Sequence, residues 1–75
     1  TRTEIIRELE ELAKRLKRSL REQERSLREQ ERLQREGSSD EDVRKLAREQ
    51  KKLAREQKEL VEEIEYLVEE LKRQD

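Results

Sequence analysis

The sequence predicts an all-α protein: an antiparallel two-helix hairpin that self-associates into a four-helix bundle, a dimer of hairpins. Apolar residues recur in alternating steps of three and four along most of the chain, the spacing of a helix that packs against other helices. One short interruption near Gly37 divides the 75 residues, and there is no proline. On each helix the apolar positions occupy three of every seven, which is a wider surface than two helices in contact can cover.

The first helix is expected at about residues 2–36. Thr1 and Glu4 carry the spacing of a capping box at its start. A stripe then follows the helix in steps of four and three: Ile5, Leu9, Leu12, Leu16, Ser19, Gln23, Ser26, Gln30 and Leu33. A third column lies beside this stripe and consists of Ile6, Ala13, Leu20, Leu27 and Gln34.

The connection is expected at residues 37–40. Gly37 suits the left-handed position that follows a helix, because glycine has no Cβ to clash there. A second capping box can form between Ser38 and Glu41, or between Ser39 and Asp42. A connection this short makes the two helices antiparallel neighbours, so residues 1–75 form one helical hairpin.

The second helix is expected at about residues 40–74 and repeats the pattern of the first. Its stripe consists of Val43, Leu46, Gln50, Leu53, Gln57, Leu60, Ile64, Leu67 and Leu71. Its third column consists of Ala47, Ala54, Val61 and Val68. Written as heptads, the three columns of each helix are the g, a and d positions. A repeat of 3.5 residues held this strictly predicts left-handed, coiled-coil-like packing.

Two heptads occur twice without change, RSLREQE at 18–24 and 25–31 and KLAREQK at 45–51 and 52–58. Repeats in evolved chains drift apart after duplication, so identical neighbours indicate assembly from interchangeable modules. These modules also place serine or glutamine on the stripe, where the other heptads have leucine or isoleucine. The sequence therefore predicts a scaffold with a partly polar core.

The polar stripe residues are expected to form buried hydrogen-bond layers. With a turn near residue 38, residues at one level sum to about 76, so Ser19 would face Gln57 and Ser26 would face Gln50. A buried amide without partners costs about 1–3 kcal/mol, so the hydroxyls and amides should bond to one another and penalise wrong registers. The alternative is that glutamine lies at a solvated edge. The expected network residues are Ser19, Gln23, Ser26, Gln30, Gln50 and Gln57.

The partner that the stripes predict is a second copy of the chain. Neither helix is visibly more apolar than the other, so a homodimer is the first expectation and a homotrimer the second. Both hairpins should place their loops at the same end, because polar layers then meet polar layers. Net charge favours the reverse weakly, since residues 18–58 are net basic and the remainder is net acidic, but exposed charges are screened and contribute little. The expected hydrophobic interface consists of Ile5, Ile6, Leu9, Leu12, Leu16, Leu20, Leu27, Leu33, Val43, Leu46, Leu53, Leu60, Val61, Ile64, Leu67, Val68 and Leu71.

These features together resemble a known class, the de novo designed helical-hairpin homo-oligomers built around modular buried hydrogen-bond networks. The resemblance covers the whole chain and is most specific in the RSLREQE and KLAREQK modules. It implies that the Ser/Gln heptads are network layers and that the protein is a designed self-assembly scaffold. A synthetic chain has no natural compartment, and we expect it to be soluble and cytoplasmic on expression.

Composition argues against the other functional classes. The chain has no cysteine or histidine, so we expect no disulfide framework, no thiol catalysis and no zinc site of the usual kind. Its carboxylates lie on solvated faces and no loop is long enough to build a site, so we expect no enzyme, no cofactor and no small-molecule ligand. A net charge of −1 and the lack of stacking aromatics argue against nucleic-acid binding, which remains the alternative together with hetero-coiled-coil association. No apolar run is long enough to span a bilayer, and no bulky aromatic face would bind its surface.

Overall fold

The protein is a two-helix hairpin in the computed structural model, which describes residues 1–74. Helix α1 spans Arg2–Glu36, helix α2 spans Asp40–Arg73, and the described residues contain no strand. The two helices pack along their length into a rod of 56 × 15 × 12 Å. The all-α hairpin expected from the spacing of the apolar residues is therefore confirmed.

The start of α1 is held by a capping box between Thr1 and Glu4. The hydroxyl of Thr1 accepts a hydrogen bond from the backbone N–H of Glu4 at 3.3 Å, and the Glu4 carboxylate accepts one from the Thr1 backbone nitrogen, also at 3.3 Å. The two bonds satisfy donors that the first turn of a helix leaves without partners. The capping box predicted from the sequence is confirmed.

The connection occupies residues 37–39 and differs in one respect from the expectation. Gly37 has a positive φ of 78°, but its ψ of 146° lies outside the left-handed helical region. The chain thus leaves α1 in an extended path, which continues through Ser39 at φ −72° and ψ 157°. An extended path lets a three-residue connection reach the neighbouring helix. Of the two capping alternatives, the structure has the one in which the Ser39 hydroxyl accepts from Asp42 N–H at 3.2 Å.

The interior of the hairpin is formed by the stripes of the two helices. The buried residues are Leu12, Ser19 and Ser26 on α1, and Leu46, Leu53 and Leu67 on α2. We call the contact between the stripes of α1 and α2 the seam. The third column lies outside the seam on both helices, and of its described members only Val68 is half-buried. Two helices in contact enclose about two positions of every seven, so one of the three columns must remain in solvent.

Candidate interaction surface

One side of the hairpin presents the third column of both helices, and we call it the third-column face. Its large residues are considerably exposed, from 39% at Ile6 and 41% at Val61 to 45% at Leu20 and 49% at Leu27. They recur at heptad spacing, so they form a continuous apolar strip and not scattered positions. Exposed apolar strips of this kind are typical of interaction sites.

The smaller members of the third column shape this face. Ala13 on α1 and Ala47 and Ala54 on α2 are exposed, so the surface is low at these positions and raised at Leu20 and Leu27. An alternation of large and small side chains lets a facing helix insert its own side chains. The face therefore has the relief that helix packing requires.

Two pairs of glutamines join the helices on the stripe positions next to the third column. Gln50 Nε2 donates to Gln30 Oε1 at 2.8 Å, and Gln57 Nε2 donates to Gln23 Oε1 at 2.9 Å. All four side chains are half-buried. Each pair uses one amide donor and one carbonyl acceptor. An amide has two donor hydrogens and a carbonyl oxygen with two lone pairs, so each pair keeps unused donors and acceptors.

These partners differ from the pairing expected from the level of the residues. The sequence predicted Gln57 opposite Ser19 and Gln50 opposite Ser26, whereas the residue numbers of both bonded pairs sum to 80. Side chains on a helix point toward its N-terminus, and in antiparallel helices this slant acts in opposite directions. The Cα atoms of two bonded glutamines are therefore not at the same level. Each lies about two residues later in its own helix than the residues that face each other directly.

Ser19 and Ser26 lie inside the hairpin, with relative exposures of 6% and 7%. Their hydroxyl oxygens have no hydrogen-bond partner, so the expected serine–glutamine bonds are not formed in the hairpin. A buried hydroxyl left without a partner is costly, of the order of 1–3 kcal/mol. The two serines thus act in the hairpin as small packing residues, and the cross-helix bonds are made by the glutamines alone.

The groove on the opposite side of the hairpin is lined by charges of both signs, with glutamates in excess. Its α1 wall consists of Arg15, Arg18, Glu22, Arg25 and Glu29, and its α2 wall consists of Glu49, Lys52, Glu56, Glu59 and Glu63. They surround two open cavities of about 320 and 440 Å³ whose linings include the two buried serines. The heptad spacing of most of these glutamates was visible in the sequence. Their position beside the seam depends on which columns the hairpin buries.

The predicted interface residues divide into two groups in the hairpin. The group that is buried or half-buried within it consists of Ile5, Leu9, Leu12, Leu16, Leu33, Leu46, Leu53, Leu60, Ile64, Leu67, Val68 and Leu71. The group that is exposed consists of Ile6, Leu20, Leu27, Val43 and Val61. The division follows the columns with two exceptions: the stripe residue Val43 is exposed, and the third-column residue Val68 is half-buried.

The ion pairs among residues 3–74 each join residues three or four positions apart on one helix. Arg32 near the end of α1 bonds Glu29, with Nε to Oε2 at 3.0 Å, and Glu36, with Nη1 to Oε2 at 2.9 Å. The hydrogen bond from Arg32 lowers the pKa of Glu29, and both carboxylates raise the pKa of Arg32. No ion pair among these residues joins α1 to α2, so charge does not hold this part of the hairpin together.

Other site chemistries leave no signature in residues 1–74. No group of three carboxylates there is placed to hold a metal ion. Neither helix combines the length and the apolar character that crossing a membrane requires. No protein-family model and no curated protein matches the chain.

Proposed function

We propose that this chain is a structural self-association module of the designed helical-hairpin class. In this proposal the third-column face of one hairpin packs against the same face of a second copy, and the two hairpins form a four-helix bundle. The observation that carries the proposal is the row of large apolar side chains, Ile6, Leu20, Leu27 and Val61, exposed at heptad spacing on a single face.

The accessible area supports association. The hairpin exposes 6432 Å², whereas a folded monomer of 9.2 kDa is expected to expose about 4,900 Å². The excess of about 1,500 Å² is in the range that each subunit of an obligate homodimer buries. Only four apolar side chains of the described residues are buried in the hairpin, which is a small core for a chain of this length.

The glutamine pairs give this association its specificity. Gln23 and Gln30 keep unused amide donors, and Gln50 and Gln57 keep unused carbonyl acceptors. A second copy in the matching register supplies partners for these groups. A shifted register covers them with leucine or alanine and leaves them unsatisfied. The polar layers lie in the half of the hairpin nearer the loop, so polar meets polar only when both loops lie at the same end.

A designed origin is supported by the two pairs of identical heptads at 18–31 and 45–58. Each pair introduces the same polar residues at the same heptad positions, as an exchange of modules would. No natural role is proposed for the chain.

Native mass spectrometry at low micromolar concentration tests the proposal. We expect one dominant species at twice the chain mass. A species at three times the mass retains self-association and replaces the dimer with a trimer. Monomer alone contradicts the proposal and would mean that the exposed leucines make no contact with a second copy.

A matched pair of variants tests whether the third-column face is the contact. Leu20→Gln with Leu27→Gln removes two apolar side chains from the face without adding charge, and we expect dissociation to monomers. Tyr66 is the large exposed apolar residue outside the three columns, at 62% exposure, so Tyr66→Gln serves as the control. The control should keep the wild-type mass. Equal behaviour of the two variants would show that association uses another surface.

A further inference from the structure

Charged residues border the third-column face on both helices, four positions after each third-column residue except Gln34. Residues four apart are neighbours on one side of a helix. The α1 edge consists of Glu10, Lys17, Glu24 and Glu31. The α2 edge consists of Lys51, Lys58, Glu65 and Lys72. All eight side chains are exposed, so both edges are accessible to a second copy.

The two edges are complementary in sign when they run antiparallel. Along α1 the signs are negative, positive, negative, negative, and along α2 read backwards they are positive, negative, positive, positive. The one basic residue of the α1 edge, Lys17, corresponds to the one acidic residue of the α2 edge, Glu65. The residue numbers of corresponding edge positions sum to 82, compared with 80 in the glutamine pairs. The two alignments therefore differ by two residues, or about 3 Å along a helix.

We propose that these edges form an intermolecular charge code that sets α1 of one copy beside α2 of the next copy, with the loops at the same end. This inference rests on the proposed self-association and adds which helices meet and how they are aligned. The edges cannot meet each other within one hairpin, because they lie on the sides of α1 and α2 that point away from the α1–α2 seam. None of the ion pairs in residues 1–74 joins them.

Other arrangements do not reproduce this complementarity. With the loops at opposite ends, α1 meets α1 of the second copy, and Glu10 then lies opposite Glu31. Like charges brought together at an interface suppress wrong partners. The opposite groove carries Arg15, Arg18, Arg25 and Lys52 among its glutamates, so a second copy placed there meets charges of both signs. Only the α1-to-α2 arrangement over the third-column face matches all four positions.

Charge reversal on one edge at a time tests this code. The α1-edge variant is Glu24→Lys with Glu31→Lys, and the α2-edge variant is Lys51→Glu with Lys58→Glu. Each sets two like-charged pairs into every contact, so we expect each variant alone to associate about a hundredfold more weakly at low salt. The loss should shrink in about 1 M salt, where screening is nearly complete.

Mixing the two variants is the decisive step. In a mixed dimer the introduced lysines of one chain meet the introduced glutamates of the other, and the unchanged glutamates meet unchanged lysines. Mixed assemblies should therefore form with wild-type affinity. A chain that carries all four substitutions should also recover. One variant is isotopically labelled, so that native mass spectrometry separates mixed species from species of one kind.

The control variant is Glu62→Lys with Glu69→Lys, on the outer side of α2. These positions are also seven apart and exposed, and Glu69 loses an intrahelical pair with Lys72 as Glu24 loses one with Arg28. We expect its affinity within threefold of wild type. If the wild-type chain assembles but the edge variants match the control, or mixing fails to restore assembly, the charge code is wrong and self-association stands. A monomeric wild type under the same conditions instead refutes the proposed function.

Discussion

At the scale of single residues, the four half-buried glutamines matter most. The bonds of Gln23 with Gln57 and of Gln30 with Gln50 join the two helices, whereas the ion pairs among residues 3–74 lie within one helix. A net hydrogen bond of this kind contributes about 0.5–1.5 kcal/mol, but an amide left without its partner costs as much or more. The glutamines therefore constrain alignment more than they add stability.

A double-mutant cycle on one pair measures this constraint. Gln57→Leu alone should destabilise the protein by about 1 kcal/mol, because it leaves the Gln23 carbonyl without its donor. Adding Gln23→Leu should recover this loss or exceed it, since two leucines then pack where two amides were. Denaturant unfolding followed by circular dichroism gives the coupling energy.

The control cycle combines Gln23→Leu with Gln50→Leu, two residues that are not bonded to each other. We expect its free energies to add within about 0.5 kcal/mol. Equal coupling in the two cycles would mean that the observed pairing does not represent the protein in solution.

At the scale of elements, the helix ends and the connection define the hairpin. Thr1 and Ser39 cap the helix starts, and Gly37 makes the turn out of α1. A Cβ at Gly37 would meet no atom within 4 Å, so the requirement for glycine comes from the backbone and not from crowding. A φ of 78° with a ψ of 146° is a region that is reached almost only by glycine.

Gly37→Ala should therefore lower the free energy of unfolding by about 1–3 kcal/mol through backbone strain alone. Substitution by D-alanine, which prefers positive φ, should restore most of the loss, and chemical synthesis of a 75-residue chain makes it accessible. Ser38→Ala in the same connection is the control, with a change below about 0.5 kcal/mol. A loss with D-alanine as large as with L-alanine would point to steric crowding instead.

The end of α1 has a measurable pH dependence. Arg32→Gln should raise the pKa of Glu29, because the hydrogen bond from Arg32 is what lowers it. A carboxylate with a lowered folded-state pKa stabilises the helix above its unfolded pKa, and this contribution is lost as pH falls through the folded value. Nuclear magnetic resonance titration of the Glu29 carboxyl carbon gives the pKa of Glu29 in the wild type and in the variant. Arg21→Gln, elsewhere on α1, should leave the Glu29 pKa unchanged.

At the scale of the whole molecule, the hairpin is a thin rod with a minimal core. Its least dimensions are 15 and 12 Å, and no side chain in residues 1–74 is buried below 2% exposure. A chain with this little buried area gains a large part of its stability from association if the proposal is correct. Folding and assembly would then be one equilibrium, whose position depends on protein concentration.

The melting temperature should consequently rise with concentration, by about 3–6 °C for each tenfold increase. Circular dichroism melts over a hundredfold range of concentration measure this slope. The Leu20→Gln and Leu27→Gln variant should melt at a lower temperature that does not depend on concentration. A wild-type melting temperature independent of concentration would contradict coupled folding and assembly.

Sequence by itself determined the helices, the place of the connection and the three columns of each helix. The periodicity of Leu9, Leu12 and Leu16, the cap at Thr1 and the break at Gly37 are local features, decided by neighbours within one turn. A short connection then permits only antiparallel neighbours. These parts of the fold were therefore predictable from the order of the residues.

Only the tertiary structure decided which columns are enclosed and which atoms meet. All three columns have similar apolar character, so their composition does not tell how each helix is rotated about its axis. That rotation is set by packing, and it buries Ser19 while it leaves Leu20 in solvent. The bonds of Gln23 to Gln57 and of Gln30 to Gln50 depend on the slant of side chains across the seam. This slant displaces the bonded residues by about half a helical turn from those at the same level. The displacement arises only when two helices pack against each other.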